Sequence, residues 1–351
     1  MNSASNDKLN SVHRLCRQNR RELLIRMNDV PKNKPKPNFF RFSLRSLLIL
    51  MLIVAGPLGW KLHKAKRQQE VVAWVEEMGG SVHYAFEIDD AGVGYNDYPT
   101  PAPKWLVRRL GIDFFAELKS VRLNGSAVDD LTRLKNTTNL QFLYLARTQV
   151  SDLHPLKNLT ELRELDLEES KVSDLTPISG FISLRLLNIS RTPVADLKPL
   201  EVMTSLRRFY LRHTLVSDLS PLANNTEMRR IDMTKTPISD ISPLAGMAKL
   251  EILDARATKI ADLAPLAEMK KLSSLDIFDT DVTNLSPLAG NSTDLGLEMG
   301  GDSVADLVPM TDWGTIHIML YKYPDESLPA ALQNEMSRVQ ISPIFKSYGD
   351  D

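Results

Sequence analysis

One seven-residue phrase recurs through the middle of the chain at an unvarying interval of 22 residues. It reads VSDLHPL in the copy that begins at Val150 and IADLAPL in the copy that begins at Ile260. The copies between them begin at Val172, Val194, Val216 and Ile238. Such an interval predicts a solenoid, because a single copy forms one coil that buries its apolar side chains only against the next coil. The interval is then the circumference of one coil.

Each copy also carries apolar residues in the pattern L-x-x-L-x-L, ahead of the phrase. The slots hold Leu118, Val121 and Leu123, then Leu140, Leu143 and Leu145, Leu162, Leu165 and Leu167, Leu184, Leu187 and Ile189, Leu206, Phe209 and Leu211, Met228, Ile231 and Met233, Leu250, Leu253 and Ala255, and Leu272, Leu275 and Ile277. Side chains of a strand alternate between its two faces, so the L-x-L stretch predicts a short strand with its apolar residues inward. Neighbouring coils would place these strands parallel, about 4.8 Å apart.

An acidic residue stands at a fixed place in almost every copy of the phrase. It is Asp130, Asp152, Asp174, Asp196, Asp218, Asp240, Asp262 and Asp306, with Asn284 in the remaining copy. A calcium ladder is one interpretation, but a Ca²⁺ ion needs several oxygen ligands and each copy supplies one acid at this place. We favour capping, in which the carboxylate accepts a backbone N–H where a helical turn starts and the nearby proline is tolerated.

These repeats resemble the internalin-like class of bacterial leucine-rich-repeat proteins, whose 22-residue pattern is LxxLxLxxNxIxDLxPL. The match runs from residue 118 to about 310 and implies an α/β solenoid, a curved stack of short parallel strands with a helical or extended convex side. Where the family commonly has Asn, this chain has Ser126, Thr148, Ser170, Thr192, Thr214, Thr236, Thr258 and Thr280. A hydroxyl can still bond the backbone of the turn, although it has fewer donors than an amide.

The N-terminal 42 residues form a basic arm. Residues 1–67 hold 15 Lys and Arg against three acids, and PKNKPKPN at 31–38 cannot bury enough apolar surface to fold. The arm is therefore predicted to be disordered. Membrane topology and attraction to anionic lipid explain its charge, so nucleic-acid binding is not expected.

A transmembrane anchor is predicted over 43–62. Residues 46–60, SLLILMLIVAGPLGW, contain no charge but are shorter than the roughly 20 residues that span a bilayer. Snorkelling of Arg45 and Lys61 can supply the difference. A buried core helix would show polar residues at helical spacing, and a cleaved signal peptide would need an unusually long charged leader. We expect a single-pass cell-membrane protein with a cytoplasmic N-terminus and extracytoplasmic repeats, similar to membrane-tethered members of the class.

The remaining boundaries follow from changes in pattern. Residues 63–117 are predicted to form a helix–strand–helix cap, 118–323 the repeats, and 324–351 a C-terminal cap helix and tail. Leu328, Leu332, Met336 and Val339 supply the helical stripe of that last cap. Asp294 occupies a leucine slot amid several glycines, which predicts a weak, mobile coil there. Terminal degeneracy explains this decay better than a functional hinge.

No catalytic constellation is visible in the chain. Cys16 is the single cysteine, the six histidines are scattered, and HExxH, GxSxG, GxGxxG and GxxxxGKS are all absent. We therefore expect no enzyme activity, cofactor or metal, although a site built from distant residues would leave no such motif.

A partner surface is predicted on the concave face, where residues between the leucines point outward. The candidates are Phe142, Tyr144, Arg147, Arg191, Arg208, Tyr210, Arg212, His213, Arg230, Asp232, Asp254, Asp276 and Phe278. Arginine and tyrosine dominate protein contacts, and four exposed aromatics are not needed for solubility. The competing interpretation is solvated charges paired across strands, each pair worth about 1 kcal/mol at most. The function is then binding of an unidentified protein, or of an acidic polymer, and the alternative is a structural envelope spacer without a specific ligand.

Overall fold

The computed structural model describes residues 44–88, 100–289, 291, 294–300, 315–321 and 340–344. The chain divides into two units, residues 1–60 and 61–351. The basic arm predicted over 1–42 and the helical stripe predicted at 328–339 lie outside the described residues.

The first described element is helix α1, Leu44–Glu77. It has Pro57 in its interior and ends beyond residue 62, the predicted end of the anchor. Apolar side chains of the first unit are exposed on this helix, among them Met51, Leu52 and Trp60. Over the residues that the structure describes, no helix combines the length and apolar character that crossing a membrane requires.

The start of the repeats is covered by elements of the second unit. The C-terminal part of α1 buries Val71, Trp74 and Val75 in one core cluster with the first leucines of the repeats. Strand β1, Ser81–Tyr84, then pairs antiparallel with β2, Leu118–Arg122. Gly80 permits this turn, since a Cβ there would stand 2.5 Å from the Arg122 carbonyl oxygen. Helix α2, Lys104–Leu110, precedes β2.

The repeats form a parallel sheet whose strands are offset by 22 residues. After β2 come β3 (Phe142–Tyr144), β4 (Glu164–Asp166), β5 (Leu186–Asn188), β6 (Arg208–Tyr210), β7 (Arg230–Asp232), β8 (Ile252–Asp254) and β9 (Ser274–Asp276). Leu143, Leu165, Leu187 and Phe209 are partners in register and are fully buried. The predicted solenoid of parallel strands is therefore confirmed.

A one-turn 3-10 helix follows each of these strands on the other side of the coil. The turns are Thr132–Leu134, His154–Leu156, Thr176–Ile178, Lys198–Leu200, Ser220–Leu222, Ser242–Leu244, Ala264–Leu266 and Ser286–Leu288. The repeated acid accepts the N–H of the first residue in the turn, as Asp152 Oδ1 does from His154 N at 2.8 Å. Asp174 and Asp240 make the same bond at 2.8 Å. The capping role is confirmed, with leucine rather than aspartate directly preceding the 3-10 turn.

The hydroxyls at the family's asparagine position behave in two ways. Each threonine donates to the carbonyl three residues earlier, for example Thr214 to Leu211 O at 2.8 Å and Thr258 to Ala255 O at 2.7 Å. Ser126 and Ser170 Oγ are buried without a hydrogen-bond partner among the described atoms. The β-branch of threonine restricts χ1, which favours a fixed direction for its hydroxyl.

The coil around Asp294, which was predicted to be weak and mobile, contains a regular strand. Strand β10, Asp294–Gly300, has seven residues and pairs in parallel with both β9 and β11, Thr315–Tyr321. The alternation of Leu295, Leu297 and Met299 explains this, because all three side chains are buried despite the nearby glycines. Strand β12, Gln340–Ile344, pairs with β11 and lies in the segment predicted as C-terminal cap helix and tail.

Candidate partner-binding face

Two files of outward-pointing residues run across the strands, and together we call them the strand face. The first file is Ser120, Phe142, Glu164, Leu186, Arg208, Arg230, Ile252, Ser274 and Gly296. The second is Arg122, Tyr144, Asp166, Asn188, Tyr210, Asp232, Asp254, Asp276 and Glu298. Eight of the predicted contact residues stand in these files, because residues 22 positions apart pair with each other on neighbouring strands.

The other predicted residues follow the strands directly. Arg212 and Phe278 come two residues after the ends of β6 and β9. Arg147, Arg191 and His213 occupy a left-handed turn position, with φ of 57°, 58° and 53°. Left-handed backbone is unfavourable for residues other than glycine, so the coil geometry imposes it here. All three of these side chains are exposed.

Two predicted contact residues are buried. Phe142 is 1% exposed, and the expectation of an exposed ring is wrong. Pointing away from the leucine core does not ensure exposure. Glu164 is the register partner of Phe142 on the next strand, and its Oε2 accepts a hydrogen bond from Tyr144 Oη at 2.9 Å. Asp232 is 4% exposed and accepts the Thr234 N–H, with the Arg212 guanidinium 3.6 Å away. Its burial does not fit the predicted role in partner contact.

The centre of the strand face holds an arginine–aromatic group. Arg208 Nη2 donates to Glu164 Oε1 at 2.7 Å, across the intervening strand β5. Arg230 Nη2 lies 2.8 Å from Asp254 Oδ2, and its guanidinium lies 5.8 Å from the ring centroid of Tyr210. The Arg208 side chain keeps 48% of its surface exposed despite its ion pair. This group can therefore present both a cation and an aromatic ring to a partner.

A second cluster, around Arg256, was missed by sequence reasoning. Arg256 Nε lies 3.0 Å from Asp276 Oδ2 and its Nη2 lies 3.4 Å from Glu298 Oε2. The same guanidinium sits 4.9 Å from the Phe278 ring centroid. Asp276 and Phe278 are thus engaged within the protein. The 22-residue register, extended through β10, was the signal that could have paired them.

Burial makes several strand-face groups weaker acids. It raises the pKa of Asp276 to about 6, and it also raises the pKa values of Asp166 and Asp232. The pKa of Tyr144 is raised by burial and then by the Glu164 charge. Burial therefore disfavours the ionised form of Asp166, Asp232 and Asp276.

The turn around His213, directly after β6, is surrounded by positive charge. The pKa of His213 is lowered by burial, with further lowering by the cations Arg191, Lys235 and Arg212. Nearby positive charge disfavours a charged imidazole. This turn is thus electropositive.

This face carries arginines, carboxylates and aromatic rings. Among the described residues no group of three or more His, Cys, Asp or Glu is arranged to hold a metal ion. The charges of the face pair across strands, as one of the two competing interpretations expected, while Arg208 and Tyr210 still offer surface to a partner.

The repeats are similar to those of known leucine-rich-repeat proteins. The family described as Leucine Rich repeats (2 copies) matches residues 138–180. The structure of internalin C2 from Listeria monocytogenes is 30% identical with a TM-score of 0.50, and the match covers 53% of this chain and 81% of that one. The chain is an internalin-like leucine-rich-repeat protein.

A second Listeria monocytogenes internalin, inlF, agrees with this assignment. It is 26% identical with a TM-score of 0.50, and the match covers 64% of the internalin-like chain and 73% of inlF. Among curated protein sequences, none matches the chain significantly. The resemblance stated for the repeats is thus confirmed at the level of the repeat class.

Proposed function

We propose that this internalin-like protein binds a protein partner through the centre of its strand face. The observation that carries the proposal is the exposed Arg208 beside Tyr210 and Arg230. Arginine and tyrosine are the residue types that concentrate binding energy at interfaces. Solenoids characteristically bind ligands on the extended surface that their stacked repeats create.

The cross-strand ion pairs are compatible with this role. Arg208 is held by Glu164 at 2.7 Å, so its side chain loses less conformational freedom when a partner binds. A spacer without a ligand would explain the fully engaged Arg256 cluster, but it gives no reason for an exposed arginine beside a half-buried tyrosine at the centre.

The test removes the central pair with the double substitution Arg208→Ala and Tyr210→Ala. Photo-crosslinked capture of a partner from envelope extract, quantified by mass spectrometry, is expected to fall at least about tenfold, in line with the loss of two interface anchors. The midpoint of thermal unfolding should stay unchanged, since neither side chain belongs to the core cluster.

The matched control removes an arginine and an aromatic residue from a helix that precedes the repeats. Arg109→Ala with Trp105→Ala changes two side chains of α2, both exposed. Capture should remain at the wild-type level. Unchanged capture by the Arg208 and Tyr210 variant would reject the proposal in favour of a spacer, and equal loss in the control would show a non-specific effect.

We also propose that residues 46–60 attach the protein to a membrane, with the N-terminus cytoplasmic and the repeats outside the cytoplasm. The support is a run of fifteen residues without charge between Arg45 and Lys61. The exposure of Leu52, Ile53 and Val54 on α1 fits lipid contact.

Carbonate extraction of cell membranes tests this attachment. Wild-type protein is expected in the membrane pellet, whereas Leu52→Asp with Val54→Asp should move most of it to the supernatant, since each charge costs about 3 kcal/mol in the bilayer centre. Leu215→Asp, at an exposed apolar residue of the repeats, is the control and should stay in the pellet. Release of the wild-type protein would refute the proposal, and protease treatment of intact cells reports which side holds the repeats.

A further inference from the structure

Four arginines stand at one position in four successive coils, outside the strand face. Arg163, Arg185, Arg207 and Arg229 each come directly before a strand, β4 to β7. We call them the arginine ladder. The proposed partner binding at the centre of the strand face does not involve them.

The backbone holds these residues one above another. Arg185 N donates to Arg163 O at 2.7 Å, Arg207 N to Arg185 O at 2.9 Å, and Arg229 N to Arg207 O at 2.8 Å. Neighbouring strands are about 4.8 Å apart, so the four Cα atoms span about 14 Å. The four arginines therefore form a regular row at the N-terminal ends of strands β4 to β7.

The row concentrates positive charge without internal compensation at its centre. Arg185, Arg207 and Arg229 are exposed, and Arg229 pairs with Glu251 at 3.0 Å. In the described part of the chain, neither Arg185 nor Arg207 forms an ion pair with a carboxylate. Glu227, whose pKa is lowered mainly by Lys249 and less by Arg207 and Arg229, is already paired with Lys249.

The strand face next to the ladder follows a different rule. There Arg208 pairs with Glu164 and Arg230 with Asp254, so opposite charges compensate across the strands. Like charges on adjacent strands repel and destabilise the free protein. The two central arginines of the ladder, Arg185 and Arg207, lie on adjacent coils without a carboxylate partner in the described part of the chain, and an external anion would neutralise them.

We propose that the arginine ladder binds a linear polymer of phosphate groups. The guanidinium fork matches phosphate oxygens in a bidentate geometry, and the row supplies such forks at near-even spacing. The ladder file contains no aromatic anchor of the kind that protein partners use. Ile182 and Val202, however, are exposed in the coils of Arg185 and Arg207, which makes an acidic peptide the competing ligand.

A local measurement on the full-length protein tests the proposal, because the basic N-terminal arm would also attract a polyanion. Phenylglyoxal modifies accessible arginines, and mass spectrometry gives the rate for each one. With inorganic polyphosphate as the probe, the modification rates of Arg185, Arg207 and Arg229 are expected to fall at least fivefold. Arg109 and Arg133, exposed elsewhere, should react at unchanged rates.

Two variants separate the ladder from general charge. Arg185→Gln with Arg207→Gln should abolish the protection of Arg229, whereas Lys157→Gln with Lys171→Gln removes the same charge from exposed sites and should preserve it. The Arg208→Ala and Tyr210→Ala variant should also keep protection, so failure of the ladder and failure of the partner-binding proposal are distinguishable. Protection no greater at the ladder than at Arg109, persistent protection of Arg229 in the ladder variant, or equal protection by poly-glutamate would overturn the proposal.

Discussion

Replacing Leu187 with alanine is expected to lower the free energy of unfolding by about 3–5 kcal/mol. Leu187 is fully buried in β5, in register between Leu165 and Phe209 of the neighbouring strands. The substitution loses transfer free energy and leaves a cavity, which the coils cannot close because backbone hydrogen bonds fix the strand spacing. Urea denaturation followed by circular dichroism should show a lower midpoint at an unchanged slope.

The control for this prediction is Leu186, the residue before Leu187. Leu186 lies on the opposite face of the same strand, partly exposed between Glu164 and Arg208. Leu186→Ala should cost only about 1 kcal/mol, because it leaves no closed cavity. Equal losses for the two leucines would contradict an interior shared by stacked coils, since burial would then not distinguish the two faces of the strand.

Replacing Asp276 with asparagine is expected to stabilise the protein by about 2–3 kcal/mol above pH 7. Burial raises the pKa of Asp276 to about 6, against about 3.9 in an unfolded chain. The folded state therefore binds more protons between these values, and this group lowers stability as pH rises from about 4 to about 6. The amide of the substituted side chain cannot ionise, while its oxygen can still accept the Phe278 N–H, which Asp276 accepts at 2.9 Å.

Urea midpoints of wild-type and variant protein at pH 4.5 and pH 7.5 measure this effect. The two proteins should differ little at the lower pH and clearly at the higher pH. Asp240→Asn is the control, because the Ser242 N–H lowers the pKa of Asp240 and its charged form is the favoured one. That substitution should give no gain at pH 7.5. A destabilised Asp276→Asn protein at pH 7.5 would show that the ion pair with Arg256 outweighs the burial of the carboxylate.

The regular part of the fold was predictable because each coil repeats one set of local requirements. The strand positions, the buried leucines and the bonds from Asp152 and Asp240 to the following turns all depend on residues close in sequence. Every coil therefore adopts the same strand and the same 3-10 turn. Elements without a repeated pattern were harder to predict from the sequence. The strand Gln340–Ile344, for example, was not predicted.

The candidate face was predictable only in part. Alternation along a strand indicates that Phe142 and Asp232 point away from the leucine core, but it does not report what covers them. The nearest partners of both residues across the strands, Glu164 for Phe142 and Arg212 for Asp232, come from neighbouring coils about 20 residues away in sequence. The ion pairs of Arg208 and Arg256 reach across one or two strands and follow from the register rather than from local sequence.

The sequence alone determined the interval of the coils, the identity of the core residues and the chemistry of the turns, since a 22-residue period admits few ways of burying its leucines. Only the tertiary structure decided which outward-pointing residues remain accessible and which charges compensate one another. Accessibility depends on the length and direction of side chains that stacking brings together from separate coils. For that reason the paired charges of the strand face and the row of arginines beside it became distinguishable only in three dimensions.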